Sequence, residues 1–179
     1  MIRFYLRALR AAERAGDRFS LDSATRADEL AKLIDLARGR RRVVELGTGT
    51  GWTAIALALA ATQEPREVIT YDPIPRPERD IYLRLVPGRV QARIRFVAQG
   101  AEEGPRPGAP PADMVFLDSS HERDETLATF RAWEPFLAPG AVVAFHDFDE
   151  PAYPGVTEAV TELGLRGQVY GHLFIWRAP

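Results

Sequence analysis

Apolar and polar positions along the chain follow two different periods. Over residues 2–15, Ile2, Tyr5, Leu6 and Leu9 fall on one helical face and Arg3, Arg7, Arg10 and Arg14 on another, which predicts an amphipathic helix. Gly16 and Asp17 break it. A second helix is predicted from Thr25, as N-cap, to about Ala37, with Glu29 reaching back within the first turn. From there strands alternate with helices. Val43 to Leu46, Glu67 to Tyr71, Ala92 to Ala98, Ala112 to Leu117 and Ala141 to Phe145 read as strands. Trp52 to Ala61, Pro77 to Val86, His121 to Phe136 and Val156 to Leu163 read as helices. Gln168 to Tyr170 and Leu173 to Trp176 flank Gly171-His172 as a hairpin, and the prolines and glycines of Gly104 to Pro111 make a loop. This alternation predicts a Rossmann-like, doubly wound α/β sheet with helices on both faces. We read it as a single domain, with residues 1–39 a helical addition and 40–179 the core.

Composition narrows the class. At 179 residues and 46% hydrophobic, the chain can bury one core. Basic and acidic residues, 23 and 25, nearly cancel, so no nucleic-acid partner is expected from overall charge. Cysteine is absent, which excludes disulfides and thiolate chemistry. The longest strongly apolar run, 54–61, is far below the roughly 20 residues that cross a bilayer. A cytoplasmic protein with no membrane partner is expected.

In such sheets ligands bind beyond the carboxyl ends of the strands, so polar residues there carry the functional signal. The segment Val43-Val44-Glu45-Leu46-Gly47-Thr48-Gly49-Thr50-Gly51 passes from a strand through glycines into a helix. Glycines permit a tight turn and close approach of backbone to ligand. Asp72 ends the next strand, where a carboxylate can accept both hydroxyl hydrogens of a ribose. The glycine spacing departs from the dinucleotide fingerprint Gly-x-Gly-x-x-Gly.

These residues resemble the first motif and ribose-binding acid of class I S-adenosylmethionine-dependent methyltransferases, and Leu137-Ala138-Pro139-Gly140 resembles the turn before their fifth strand. The likeness spans about residues 40–177. It implies a seven-stranded sheet whose last strand is antiparallel. It also implies S-adenosylmethionine as cofactor. Glu45, Gly47, Thr48, Gly49 and Gly51 would flank its methionine end, with Trp52 beside them, and Asp72 would hold the ribose. Gly100 stands where an adenine-binding acid aligns, with Ala101 next to it.

A second group lies on the fourth and fifth strand ends: Asp118, with His121 three residues on, and the pair His146-Asp147. This arrangement resembles small-molecule O-methyltransferases of the catechol and macrocin type. That resemblance implies a small hydroxylated acceptor and a divalent metal on Asp118, His146 and Asp147, with Asp118 also near the cofactor. His121 takes the place of a general base. A histidine among the ligands widens the choice from magnesium to manganese, iron or zinc. Other readings stay open: capping roles for Asp118 and Asp147, no metal, a nicotinamide oxidoreductase, or a non-catalytic cofactor-binding protein. The N-terminal addition would cover the site or serve a homodimer.

Overall fold

The computed structural model describes residues 2–61 and 65–179. Seven strands form one sheet: β1 (Arg42–Leu46), β2 (Glu67–Tyr71), β3 (Ile94–Val97), β4 (Ala112–Leu117), β5 (Leu137–Phe145), β6 (Gln168–Tyr170) and β7 (Leu173–Arg177). Their order is β3-β2-β1-β4-β5-β7-β6. β1 to β5 are parallel, and β7 runs antiparallel to both β5 and β6. The order reverses between β1 and β4, which opens a crevice above their carboxyl ends.

Neighbouring residues on each strand face opposite sides, so β1 sends Val43 into one core and Val44 into the other. On the Val43 side lie α1 (Ile2–Ala15), α3 (Ala27–Leu36) and α4 (Trp52–Ala60); on the Val44 side lie α7 (Arg123–Trp133) and α8 (Pro154–Glu162). Every residue of α4 from Trp52 to Ala58 is buried. A helix apolar on all sides must be covered on all sides. Phe4, Ala8, Leu30 and Leu33 of α1 and α3 join α4 in one core and do this, which explains why the N-terminal helices lie where they do. Arg66, 4% exposed, donates to the carbonyls of Ala37 and Leu57, tying down the ends of α3 and α4.

Several boundaries differ from the sequence pattern, each for a local reason. Asp17 ends α1's neighbourhood but also starts a short helix, α2 (Arg18–Ser23), that the pattern does not announce. Its carboxylate accepts from the Ser20 backbone N–H at 3.0 Å and from the Ser20 and Tyr82 hydroxyls. Thr25 does not cap the next helix. Its hydroxyl pairs with Thr53 at 3.0 Å, and α3 begins at Ala27 with no side-chain cap. Glu29 turns inward rather than back along the helix. The expected helix over 77–86 contracts to α5 (Arg79–Leu83), and a further turn, α6 (Gly88–Gln91), precedes β3. Pro139-Gly140 lies within β5, where the pairing with β4 shifts register and Gly140 takes φ 71°. No described helix is long and apolar enough to cross a membrane.

Candidate functional site

The glycine turn between β1 and α4 is dictated by its neighbours. Gly47, at φ 98°, passes so close to the end of β4 that a Cβ there would lie 2.0 Å from the Asp118 carbonyl oxygen. Gly51, at φ 85°, is the left-handed N-cap of α4. The Gly49 N–H donates to Asp72 Oδ2 at 2.9 Å and the Ile74 N–H to Oδ1 at 2.8 Å, so the Asp72 carboxylate is held at the turn. Beneath the turn, Glu45 is 1% exposed and accepts from the Thr70 hydroxyl, which also pairs with Thr48 at 2.6 Å. Burial pushes the Glu45 carboxyl up to about 8, and the Asp118 and Asp72 carboxylates add to the rise.

Above the turn opens a cavity of 680 Å³. Glu45, Gly47, Thr48, Gly49, Asp72 and Ala101 line one half of it. Trp52 also lines it, but its ring is packed edge-on against Tyr5 and Tyr82, at 5.8 and 5.1 Å. Gly51 and Gly100 sit behind the lining. A Cβ on Gly51 would meet Phe96 at 3.5 Å and Arg79 at 3.6 Å, and the Gly100 N–H donates to Glu103 at 2.8 Å. The Ala101 carbonyl accepts from Trp133 Nε1 at 2.7 Å, which fixes the cavity wall to α7. Trp133→Phe is therefore expected to lower stability by about 0.5–1.5 kcal/mol, read by thermal or denaturant melting, through loss of one buried hydrogen bond; the carbonyl keeps its bond from the Gly104 N–H at 3.2 Å.

The other half of the cavity is bounded by the ends of β4 and β5. His146 is 12% exposed in its side chain. Its Nδ1 lies 2.8 Å from Asp118 and 3.2 Å from Asp147, and its Nε2 lies 3.3 Å from Glu29. Burial opposes a charge on this ring, but the surrounding carboxylates push its pKa up to about 12. His121 precedes α7 rather than opening it. Its Nε2 lies 2.8 Å from Asp147 Oδ2, and its ring stacks on Tyr153 at 4.0 Å. The hydrogen bond to Asp147 raises the His121 pKa above the ordinary 6.5, against the opposing effect of burial. Asp147 holds a left-handed backbone, φ 56°, unusual outside glycine. Burial opposes its ionisation, yet the bonds from His121 and His146 hold it well below the usual carboxylate range.

The strand ends thus bring Asp118, His121, His146 and Asp147 together, facing the glycine turn across one cavity. Among the described residues, Asp118, His121 and Asp147 each offer a ligand atom within 4.8 Å of the others. His146, which belongs to the set of Asp118, His146 and Asp147 expected from strand position, also turns its Nδ1 toward both carboxylates, while its Nε2 faces Glu29. Glu29, Tyr153 and α2 also reach the site, without a signal in the sequence that places them there. Glu29 carries an ordinary helix-start signature, and nothing local in the sequence directs it across the sheet.

A family model described as "methyltransferase domain" matches residues 44–148, more than half of the chain. The chain belongs to this methyltransferase family. Its fold is that of the class I S-adenosylmethionine-dependent enzymes, which decides against the nicotinamide oxidoreductase reading. No curated protein sequence matches it. Among solved structures, the O-methyltransferase TomG of tomaymycin synthesis from Streptomyces achromogenes, in complex with S-adenosylmethionine, is 22% identical. It aligns over 96% of this chain and 89% of its own, with a TM-score of 0.68. An O-methyltransferase from Bacillus cereus, in complex with S-adenosylhomocysteine, is 15% identical over 96% and 90%, with a TM-score of 0.69. CalS11, a TDP-rhamnose 3'-O-methyltransferase of calicheamicin biosynthesis, is 17% identical over 83% and 76%, with a TM-score of 0.65. At these identities the likeness is one of fold. The methyltransferase match itself ends at Phe148, so Glu29 and the C-terminal hairpin lie outside it.

Proposed function

We propose that this methyltransferase transfers a methyl group to a hydroxyl of a small molecule. The observation that carries the reading is the histidine and carboxylate rim of Asp118, His121 and Asp147, which shares one cavity with the glycine turn and Asp72. Neighbours of the same fold named as O-methyltransferases support it. S-adenosylmethionine supplies an electrophilic methyl carbon. Glu45 and the turn from Gly47 to Thr50 receive its methionine end, and Asp72 its ribose. His121 is the proton acceptor. With Nε2–H donated to Asp147, the lone pair lies on Nδ1, and Asp147 stabilises the imidazolium that forms. Because the His121 pKa is raised, activity should climb with pH through a limb above 6.5.

Asp72→Ala is expected to weaken S-adenosylhomocysteine binding about tenfold to a hundredfold by calorimetry, through lost ribose hydrogen bonds and a released Gly49 N–H. Equal affinity would remove Asp72 from the cofactor site. Transfer itself is tested with S-adenosylmethionine and a panel of hydroxylated small molecules, read by mass spectrometry.

The convergence of Asp118, His121 and Asp147 favours a second, metal-assisted reading. Two carboxylates and an imidazole fit a divalent ion that accepts nitrogen and oxygen together, such as manganese, iron or zinc, better than magnesium. A bound ion would lower the pKa of an acceptor hydroxyl. Manganese titration separates the two roles of His121. As a ligand, its loss in His121→Ala weakens manganese binding; as a base, its loss leaves manganese affinity intact and slows methyl transfer.

A further inference from the structure

Glu29 is a carboxylate 1% exposed to solvent, carried by α3, in the N-terminal region outside the family-matched segment. Two other parts of the chain satisfy it. The backbone N–H of His172, at the turn of the C-terminal hairpin, donates to Oε1 at 2.8 Å, and His146 Nε2 lies 3.3 Å from Oε2. The turn also wedges the carboxylate in place: a Cβ on Gly171 would come within 2.8 Å of Oε1. An N-terminal helix, the end of β5 and the C-terminal hairpin therefore meet at one side chain.

The consequence lies at the far edge of the imidazole. His146 Nδ1 faces Asp118 at 2.8 Å and Asp147 at 3.2 Å. These are the two carboxylates assigned to the rim, and like charges so close need a shared donor between them. An imidazole held at one edge alone can swing about χ2. Held at both edges it has one orientation. We propose that Glu29 is a positioning residue for the reaction centre: it fixes the His146 ring through Nε2, so that Nδ1–H braces Asp118 and Asp147 together. Glu29 also lines the cavity, and in this scheme it acts through His146 rather than on acceptor or cofactor. The inference rests on the proposed methyl-transfer rim and gives the N-terminal helices a role in that site beyond covering α4.

The test uses the full chain with S-adenosylhomocysteine bound and its histidines labelled with nitrogen-15, following the ring N–H protons by NMR. In wild type, the His146 Nδ1–H is expected to be protected from solvent exchange. Glu29→Gln keeps the shape of the side chain but weakens its hold on Nε2. It should remain folded and bind S-adenosylhomocysteine within about twofold of wild type, yet exchange the Nδ1–H at least about tenfold faster. Gly171→Ala, which crowds the same carboxylate from the hairpin side, should give the same signature. A role limited to joining α3 to the hairpin would lower the melting temperature and leave the Nδ1–H protected; that result in Glu29→Gln overturns the proposal, as does an unprotected Nδ1–H in wild type. Failure of the cofactor assignment is separable, since it would appear as absent S-adenosylhomocysteine binding in wild type.

Discussion

His121→Ala is expected to lower turnover by roughly 10²–10⁴-fold while S-adenosylhomocysteine affinity stays nearly unchanged, the separation that marks a general base. The geometry removes the main structural explanation for such a loss. α7 starts at Arg123, with Glu122 as its N-cap and no side-chain cap, so deleting the His121 ring uncaps nothing. What it does remove is the contact with Asp147 Oδ2 at 2.8 Å and the stack on Tyr153. The ring is 40% exposed, and the stack should contribute only about 0.5–1.5 kcal/mol of stability. Steady-state kinetics, calorimetry and a melting curve on the same preparation distinguish the two losses. Wild-type turnover with a wild-type pH profile in His121→Ala would end the assignment.

A change of similar size is expected in cofactor affinity as pH varies. Burial pushes the Glu45 carboxyl up to about 8, whereas the ammonium of the methionine end, seated beside it as proposed, would favour the ionised form. Each pH unit below that value lowers the ionised fraction about tenfold. S-adenosylhomocysteine should therefore bind up to about a hundredfold more weakly at pH 6 than at pH 8, and release a proton from Glu45 when it binds at the lower pH. Calorimetry in two buffers of different ionisation enthalpy counts that proton. The same raised value acts on the unliganded protein with the opposite sign. A carboxyl that titrates higher folded than unfolded stabilises the fold fully below its ordinary value of 4.5, and that contribution is lost as pH rises through about 8. Glu45→Gln should flatten both dependences. A binding constant constant in pH for wild type would show that Glu45 carries no such proton.

Much of this architecture is legible because it depends on local pattern. β2 and β4 begin and end where their apolar runs do, and the Gly171-His172 turn joins β6 to β7 as the sequence suggests. The glycine turn and Asp72 are equally local, since Gly49 and Asp72 meet through adjacent parallel strands. Residues whose roles are set by distant partners are not legible. Thr25 and Glu29 follow the pattern of a helix start, but tertiary partners claim both: Thr53 takes the threonine, and His146 and His172 take the glutamate. α2 escapes notice because six residues are too few to show a period, and it exists through the Asp17 cap and the pairing of Ser20 with Thr50 at 2.6 Å. Strand position places both histidines on the rim, and only the carboxylates packed around His146 engage both of its nitrogens.

The most direct measurement of the central claim uses S-adenosylmethionine labelled with carbon-13 in its methyl group, incubated with the wild-type chain and hydroxylated small molecules. NMR then locates the label in any product. The account predicts that label appears as a methoxy carbon, that His121→Ala slows its appearance, and that Asp72→Ala raises the S-adenosylmethionine concentration required. Label found on nitrogen or carbon, or a cofactor that binds while no hydroxylated molecule in a chemically diverse panel becomes labelled, would contradict it.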